Sequence, residues 1–276
     1  MRCVALPGGA QVPALGQGTW RMGEDAARRR QETEALRTGV DLGMTVIDTA
    51  EMYGDGATER FLGEALAGLR DQVFLVSKAY PQNAGRGRLE RACEASLQRL
   101  RTDHLDLYLL HWRGNVPLSE TVEGMEALRA AGKITAWGVS NLDAADMDEL
   151  FQAGGDGCAT DQVLYNVTRR GPEFDLLPAL RVRGVPVIAY SPVEQGRLPA
   201  GGALRAVAER HGVTATQVAL AWVLRQPEVI AIPKAADVEH VRENRRAADL
   251  QFTPEDLAEI DAAFPPPTRK TRLAML

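Results

Sequence analysis

The chain has 276 residues, of which 45% are hydrophobic and 25% are charged, as in an ordinary folded protein. Its formal net charge is −5 at pH 7 and its arginines occur only in short groups, which disfavours nucleic acid as a partner. Cys3, Cys93 and Cys158 lie far apart, and no signal peptide or membrane-spanning run is seen, so we expect a cytoplasmic protein with no metal or membrane partner.

Short apolar runs of strand length alternate with segments of helical periodicity along the whole chain. The predicted strands cover residues 13–18, 45–48, 73–78, 105–111, 136–140, 160–164, 186–191 and 229–234. They are continuous apolar runs, as expected of parallel strands that are covered on both faces. The predicted helices cover residues 26–42, 58–69, 88–100, 121–130, 143–151, 174–182, 204–212, 216–225, 238–248 and 254–264. The last helix is predicted to begin with Thr253 as N-cap and Pro254 in its first turn.

The spacing of the strand ends predicts the fold class. Roughly 30 residues separate most successive strand ends, which is the length of one βα unit. Eight units predict a (β/α)8 TIM barrel, with extra helices before the last strand and at the C-terminus. An open doubly wound sheet is the alternative, but Gly16 and Gly18 are followed by Arg21 where the dinucleotide-binding fingerprint needs a third glycine. No Pro/Gly-rich linker interrupts the chain, so we expect a single domain over residues 1–276.

Polar side chains stand at the carboxyl ends of several predicted strands, among them Asp48, Lys78 and His111. Because these ends meet at one mouth of a barrel, we expect the side chains to converge there. The residue types fit reduction of a carbonyl group, which takes a hydride at carbon and a proton at oxygen. Tyr53 is the candidate proton donor, and a nearby lysine would lower the pKa of its hydroxyl group. His111 is placed to hydrogen-bond the substrate oxygen.

The sequence DTAEMYG at residues 48–54 resembles the D-x-A-x-x-Y-G segment of the aldo-keto reductases. Later motifs of that family follow in the same order, as LYLLHW at 107–112, GVSN at 138–141, QVLYN at 162–166, AYSP at 189–192, IPK at 232–234 and REN at 242–244. The resemblance runs from Gly16 to the C-terminal tail, and it looks closest to bacterial enzymes that reduce methylglyoxal. It implies an oxidoreductase that reduces aldehydes and ketones with NAD(P)H.

The same resemblance implies roles for individual residues. Asp48, Tyr53, Lys78 and His111 are implied to form the catalytic set, with Tyr53 as general acid. The residues implied to bind the cofactor are Gly18, Thr19, Asp48, Ser140, Asn141, Gln162, Tyr190, Ser191, Pro192, Gln195, Gly196, Ile232, Lys234, Ala235, His240, Glu243 and Asn244. The residues implied to line the substrate pocket are Trp20, Met52, Tyr80 and Trp112.

Two positions depart from the family pattern at the site of the cofactor 2′-phosphate. After IPK the family usually carries a serine and, five residues later, an arginine, whereas this chain has Ala235 and His240. A neutral histidine binds phosphate less well than a guanidinium group, which weakens the case for NADPH. Because Lys234 remains, with Arg242 and Arg245 as further candidate phosphate ligands, we still expect NADPH as the preferred cofactor, with NADH or dual use left open. Short segments after His111 and Ser191 predict an open pocket for small or aromatic aldehydes and α-dicarbonyl compounds.

Two readings from other functional classes stay open. The chain could be a regulatory subunit of the same fold, which binds the cofactor and controls a membrane partner, and rapid multiple turnover would exclude this. It could also be a lyase in which Lys78 forms a Schiff base, although Asp48 at the neighbouring strand end would keep that amine charged. Because the family is often monomeric, we expect a monomer.

Overall fold

A computed structural model describes residues 1–199 and 201–276. The strands are β1 (Cys3–Ala5), β2 (Gln11–Pro13), β3 (Gln17–Gly18), β4 (Val46–Asp48), β5 (Phe74–Ala79), β6 (Leu105–Leu110), β7 (Ile134–Ser140), β8 (Cys158–Leu164), β9 (Val187–Tyr190) and β10 (Val229–Ala231). The helices are α1 (Arg29–Asp41), α2 (Ala57–Ala65), α3 (Arg88–Leu100), α4 (Leu118–Ala130), α5 (Ala144–Gln152), α6 (Leu176–Val182), α7 (Ala203–His211), α8 (Ala215–Leu224), α9 (Val238–Ala247) and α10 (Pro254–Ala263). Within the described ranges, none of these helices combines the length and the apolar character that crossing a membrane requires.

Strands β3 to β10 form one parallel sheet in which each strand pairs with the next along the chain. The sheet closes on itself because the segments around β3 and β10 meet. Leu15 pairs with Ala231 and Gly18 pairs with Lys234, and the Gly18 amide donates to the Pro233 carbonyl at 3.1 Å. The predicted (β/α)8 barrel, with two helices before the last strand and one at the C-terminus, is confirmed.

Gly18 is required where the barrel closes. A Cβ atom on this residue would lie 2.7 Å from the carbonyl oxygen of Ile232, closer than any side chain tolerates. Its neighbour Lys234 therefore leaves β10 directly beside the loop that follows β3. We call the place where the segments around β3 and β10 meet the seam. It joins two segments that are far apart along the chain.

Apolar side chains fill the barrel as well as the layer between strands and helices. The interior cluster contains Val46, Val76, Leu107, Leu109, Ala159, Ile188, Ile230 and Ile232. An antiparallel hairpin of β1 and β2 adds Val4, Leu6 and Val12 to this cluster. The hairpin therefore closes the end of the barrel opposite the mouth, and the residues that line the mouth sit on a solid floor.

The sequence analysis did not predict this hairpin, since its first predicted element begins at residue 13. Its turn contains Gly8 and Gly9, both with φ of +93°, a conformation that glycine adopts without strain. Helix α10 agrees with the prediction at its start, since the Thr253 hydroxyl caps the amide of Asp256 and Pro254 opens the first turn. Other elements differ from the predicted bounds by a few residues at their ends.

Candidate active site

Asp48 and Lys78 form a buried ion pair at the centre of the mouth. They end or nearly end the adjacent strands β4 and β5, and their side chains are 3% and 0% exposed. The Lys78 ammonium lies 2.8 Å from the Asp48 carboxylate and also donates to the Thr49 carbonyl at 2.7 Å. The amide nitrogen of Gln162 donates to the same carboxylate at 2.8 Å from across the barrel. Both charges are thus compensated, as buried charges require.

The Tyr53 hydroxyl lies against this pair. Tyr53 begins a short turn, Tyr53–Gly56, in which Gly54 and Asp55 adopt φ of 55° and 49°. The Lys78 ammonium donates a hydrogen bond of 3.4 Å to the phenolic oxygen. Lys78 had been expected to lower the pKa of Tyr53, but burial and the Asp48 charge raise that pKa well above its ordinary value. The expected direction is wrong here because burial, the larger of these two effects, and the Asp48 charge both disfavour the phenolate.

His111 follows β6 and faces Tyr53 across the mouth. The two rings meet edge to face with 6.1 Å between their centroids. Burial and the positive charge of Lys78 lower the pKa of His111 to about 3, so the ring is neutral at physiological pH. Its Nδ1 atom is buried and has no hydrogen-bond partner among the residues that the structure describes. A neutral imidazole beside a phenol can donate one hydrogen bond without carrying a charge.

Four polar residues connect β7, β8 and β9 beside this set. The Tyr190 hydroxyl bonds to the Asn141 side-chain oxygen at 3.0 Å. The Asn141 amide donates to the His111 carbonyl at 3.1 Å and to the Ser140 hydroxyl at 3.0 Å. The Ser140 hydroxyl donates in turn to the Gln162 carbonyl at 2.8 Å. Ser140, Asn141, Gln162 and Tyr190 are therefore brought together with the catalytic candidates.

The loop after β9 is held in a strained conformation. Ser191, Glu194 and Gln195 all have φ between 46° and 55°, and Gly196 has φ of 77°. The buried carboxylate of Glu194 fixes the loop because it accepts hydrogen bonds from the side chains of Asn166 and Arg169. The loop that carries the candidate pyrophosphate contacts Ser191, Pro192, Gln195 and Gly196 is thus preshaped by its own contacts.

A model of the aldo/keto reductase family matches residues 14–264. The chain belongs to the aldo/keto reductase family. It is therefore an oxidoreductase of carbonyl compounds, as its motifs predict.

Proteins similar to this reductase include characterised and solved members of the family. "Methylglyoxal reductase YeaE" from Escherichia coli strain K12 is 53% identical, over 100% of this chain and 99% of the relative. "Glyoxal reductase" from Bacillus subtilis strain 168 is 32% identical, over 94% of this chain and 91% of the relative. The crystal structure of an aldo-keto reductase from Klebsiella pneumoniae in complex with NADPH is 54% identical, with a TM-score of 0.97, over 100% of this chain and 99% of that chain.

The remaining cofactor candidates of the reductase lie after β3, after β10 and on α9. Gly18 and Thr19 follow β3, but the Thr19 hydroxyl is buried and donates to the Asp48 carbonyl at 2.8 Å. The Ile232 side chain packs inside the barrel, so only its backbone faces outward. Asn244 is buried on α9, and the Glu243 carbonyl accepts a hydrogen bond from α8. None of these contacts tests the assigned roles, which stay predictions.

Two of the four predicted pocket residues of the reductase, Tyr80 and Trp112, form an aromatic wall beside His111. Tyr80 and Trp112 meet edge to face at 5.8 Å, and Trp112 lies 4.8 Å from the His111 ring. Trp20 is 39% exposed, and the Arg21 guanidinium is stacked 4.4 Å from the centroid of its ring. Met52 directly precedes Tyr53 and is half-buried.

Sequence reasoning about the reductase missed two kinds of charged residue. Arg21 and Arg28 lie near enough to Lys234 for their charges to affect its ammonium, although burial is the largest cause of its lowered pKa. Asp161, next to Gln162 on β8, is fully buried, and neither carboxyl oxygen has a hydrogen-bond partner within the described part of the chain. The first and last strands of a closed barrel are neighbours, so the loop after β3 could have been expected beside Lys234, and this would have pointed to Arg21 and Arg28. No sequence signal marks Asp161.

Among residues 1–199 and 201–276, no group of three or more His, Cys, Asp or Glu side chains could hold a metal ion. The lyase reading of Lys78 is disfavoured by its contacts. Its ammonium has three hydrogens, which point at Asp48, the Thr49 carbonyl and the Tyr53 hydroxyl. An amine that donates three hydrogen bonds has no free lone pair for attack on a carbonyl group.

Proposed function

We propose that this reductase uses NADPH to convert small or aromatic aldehydes and α-dicarbonyl compounds, methylglyoxal among them, into alcohols. The observation that carries the proposal is the position of the Tyr53 hydroxyl, 3.4 Å from the Lys78 ammonium and facing the ring of His111. The hydroxyl is a proton donor held at the mouth, and the charge that would stabilise its anion is already in place.

The proposed mechanism assigns one task to each catalytic residue. The cofactor, when bound, supplies a hydride to the carbonyl carbon. Tyr53 gives its phenolic proton to the carbonyl oxygen, and the Lys78 ammonium stabilises the phenolate that remains. Asp48 holds that ammonium at 2.8 Å and keeps it charged. His111, neutral at physiological pH, donates a hydrogen bond that orients the carbonyl oxygen.

The donors around the mouth fit a nicotinamide dinucleotide. The amides and hydroxyl of Asn141, Gln162 and Ser140 suit the carboxamide group, and the ring of Tyr190 offers a flat surface for the nicotinamide. The cations Lys234, Arg21 and Arg28 supply positive charge for the phosphates. A relative of 54% identity crystallised with NADPH, which supports the same cofactor for this chain.

The substrate class is proposed from the pocket and from the relatives. The aromatic wall of Tyr80 and Trp112 stands beside His111, and the segment between β6 and α4 is only a short loop. A pocket of this kind suits small carbonyl compounds better than bulky ones. Two similar proteins are named for methylglyoxal and glyoxal, which are small α-dicarbonyl compounds.

The proposal is tested by the oxidation of NADPH, and separately of NADH, with methylglyoxal, an aromatic aldehyde and an aldose. We expect turnover with NADPH, fastest with methylglyoxal or the aromatic aldehyde, and its loss in Tyr53→Phe. Tight binding of cofactor without turnover on any aldehyde would instead favour the regulatory-subunit reading.

The proposal also includes a monomeric protein of the cytoplasm without a nucleic-acid partner. Sedimentation of the purified protein tests the oligomeric state.

A further inference from the structure

The segment that follows β10 presents a carboxylate where a phosphate ligand would be expected. Asp237 is the N-cap of α9 and accepts a hydrogen bond from the His240 amide at 2.9 Å. Its second oxygen lies 2.6 Å from Nδ1 of His240. The imidazole is thus already engaged, and Ala235 has no polar side chain. Of the side chains in this segment, only that of Lys234 offers a free positive charge to a phosphate group.

A second source of positive charge lies on the other side of the seam. Because Gly18 pairs with Lys234, the loop after β3 runs beside the segment after β10. Helices α1 and α9, which these segments lead into, pack against each other. Arg28 directly precedes α1 just as Asp237 directly precedes α9, and barrel helices all begin at the mouth. The first turns of both helices are therefore expected on the mouth side of the barrel, with Arg28 at the start of α1.

Four charged groups lie near enough to Lys234 to affect its ammonium. Burial lowers the pKa of the Lys234 ammonium most, Arg28 and Arg21 lower it further, and Glu32 and Asp237 act in the opposite direction. The buried Glu32 carboxylate is engaged by the Gly23 amide at 2.8 Å. Among the described residues, Arg28 and Lys234 form no ion pair and no side-chain hydrogen bond. A concentration of unpaired cations is unfavourable unless an anion joins them.

We propose that Arg28, together with Lys234, binds the 2′-phosphate of the cofactor and is the residue by which this reductase distinguishes NADPH from NADH. This inference rests on the proposed function. A guanidinium group can bind a phosphate through two parallel hydrogen bonds, which is the contact that His240 does not offer. Asp237 acts against it, since its carboxylate repels the same phosphate. Arg21 is stacked on Trp20, and we assign it to the part of the cofactor nearer the mouth rather than to the 2′-phosphate.

The test is Arg28→Gln against Arg30→Gln, a matched control on the exposed first turn of α1. Dissociation constants for NADPH and NADH are measured by quenching of protein fluorescence without any aldehyde. We expect Arg28→Gln to weaken NADPH binding on the order of 10-fold and NADH binding by less than about twofold. Displacement by 2′,5′-ADP should weaken in parallel, while displacement by 5′-ADP should not. Arg30→Gln should change none of these values.

A second variant tests the opposing charge. Asp237→Asn keeps an N-cap side chain but removes the carboxylate, so NADPH should bind several-fold more tightly while NADH is unaffected. Equal losses for both dinucleotides in Arg28→Gln, or no loss, would overturn the role of Arg28. The proposed function would survive either result, because wild-type turnover is measured separately. Failure of the wild type to bind either dinucleotide would overturn the proposed function itself.

Discussion

The ammonium nitrogen of Lys78 lies 3.4 Å from the hydroxyl oxygen of Tyr53 and donates a hydrogen bond to it. The other ammonium hydrogens are directed at Asp48 and at the Thr49 carbonyl. The phenolic oxygen is therefore an acceptor on its inner side, and its proton is free to point toward the mouth. This arrangement makes the hydroxyl a donor to any carbonyl oxygen that enters between Tyr53 and His111.

Tyr53→Phe should lower kcat by about 100- to 10,000-fold, because it removes the proton donor and leaves the ring in place. Cofactor binding should change little, since the phenol is not among the predicted cofactor contacts. Steady-state rates with methylglyoxal and a fluorescence titration with NADPH measure the two effects. Tyr108→Phe is the matched control, because the Tyr108 hydroxyl is also buried but has no hydrogen-bond partner among the described residues. Turnover of Tyr53→Phe at the wild-type rate would contradict the assignment.

Lys78→Met should remove activity and also destabilise the fold by about 3–5 kcal/mol, because the buried Asp48 carboxylate loses its cation. The double variant Asp48→Asn/Lys78→Met should recover most of that stability, since no charge remains buried without a partner. It should not recover activity, because no cation remains to stabilise the Tyr53 phenolate. Denaturant unfolding and kcat, measured on the same preparations, separate the two effects. Recovery of turnover in the double variant would show that Lys78 has only a structural role.

The grouping of the catalytic candidates could be predicted from the sequence because their positions follow from strand ends. Asp48, Lys78 and His111 each stand at or next to the carboxyl end of a predicted strand, and the structure places them together. The direction of the Tyr53 pKa could not be predicted, because it depends on how completely the hydroxyl is buried. A sequence pattern gives the neighbours of a group but not its access to water.

The features that the sequence did not predict arise where distant segments close the barrel. Arg28 comes near Lys234 only because β3 and β10, which are far apart along the chain, meet at the seam. The basic run at residues 28–30 looks like any solvated helix face when it is considered alone. The hairpin of β1 and β2 was likewise missed because its strands have only three residues each, too few to show a period.

The rate of carbonyl reduction should not change with pH between about pH 5 and about pH 8. The pKa of His111 is lowered to about 3 from an ordinary value of 6.5, and that of Tyr53 is raised, so neither group titrates in this range. Oxidation of the alcohol needs the Tyr53 phenolate, so its rate should instead rise with pH. Profiles of kcat/KM in both directions test this. An inflection near 6.5 in the reduction profile that disappears in His111→Asn would show that His111 does titrate.

Asp161→Asn should stabilise the protein at neutral and alkaline pH. Burial raises the pKa of the Asp161 carboxyl well above its ordinary value of 3.8. Above pH 3.8 the unfolded chain releases the proton while the folded chain retains it, so wild-type stability falls as the pH rises. Asparagine carries no such proton. The gain should be about 1 kcal/mol or more at neutral pH and should vanish toward the pH at which the free carboxyl group is protonated.

Denaturant unfolding at several pH values measures this difference between the variant and the wild type. Asp156→Asn, at an exposed position on the loop before β8, is the matched control and should have no effect at any pH. Because Asp161 and Gln162 point to opposite faces of β8, the activity of Asp161→Asn should stay near that of the wild type. A gain in stability that is the same at every pH would mean that the asparagine stabilises by new hydrogen bonds rather than by removing a buried acid.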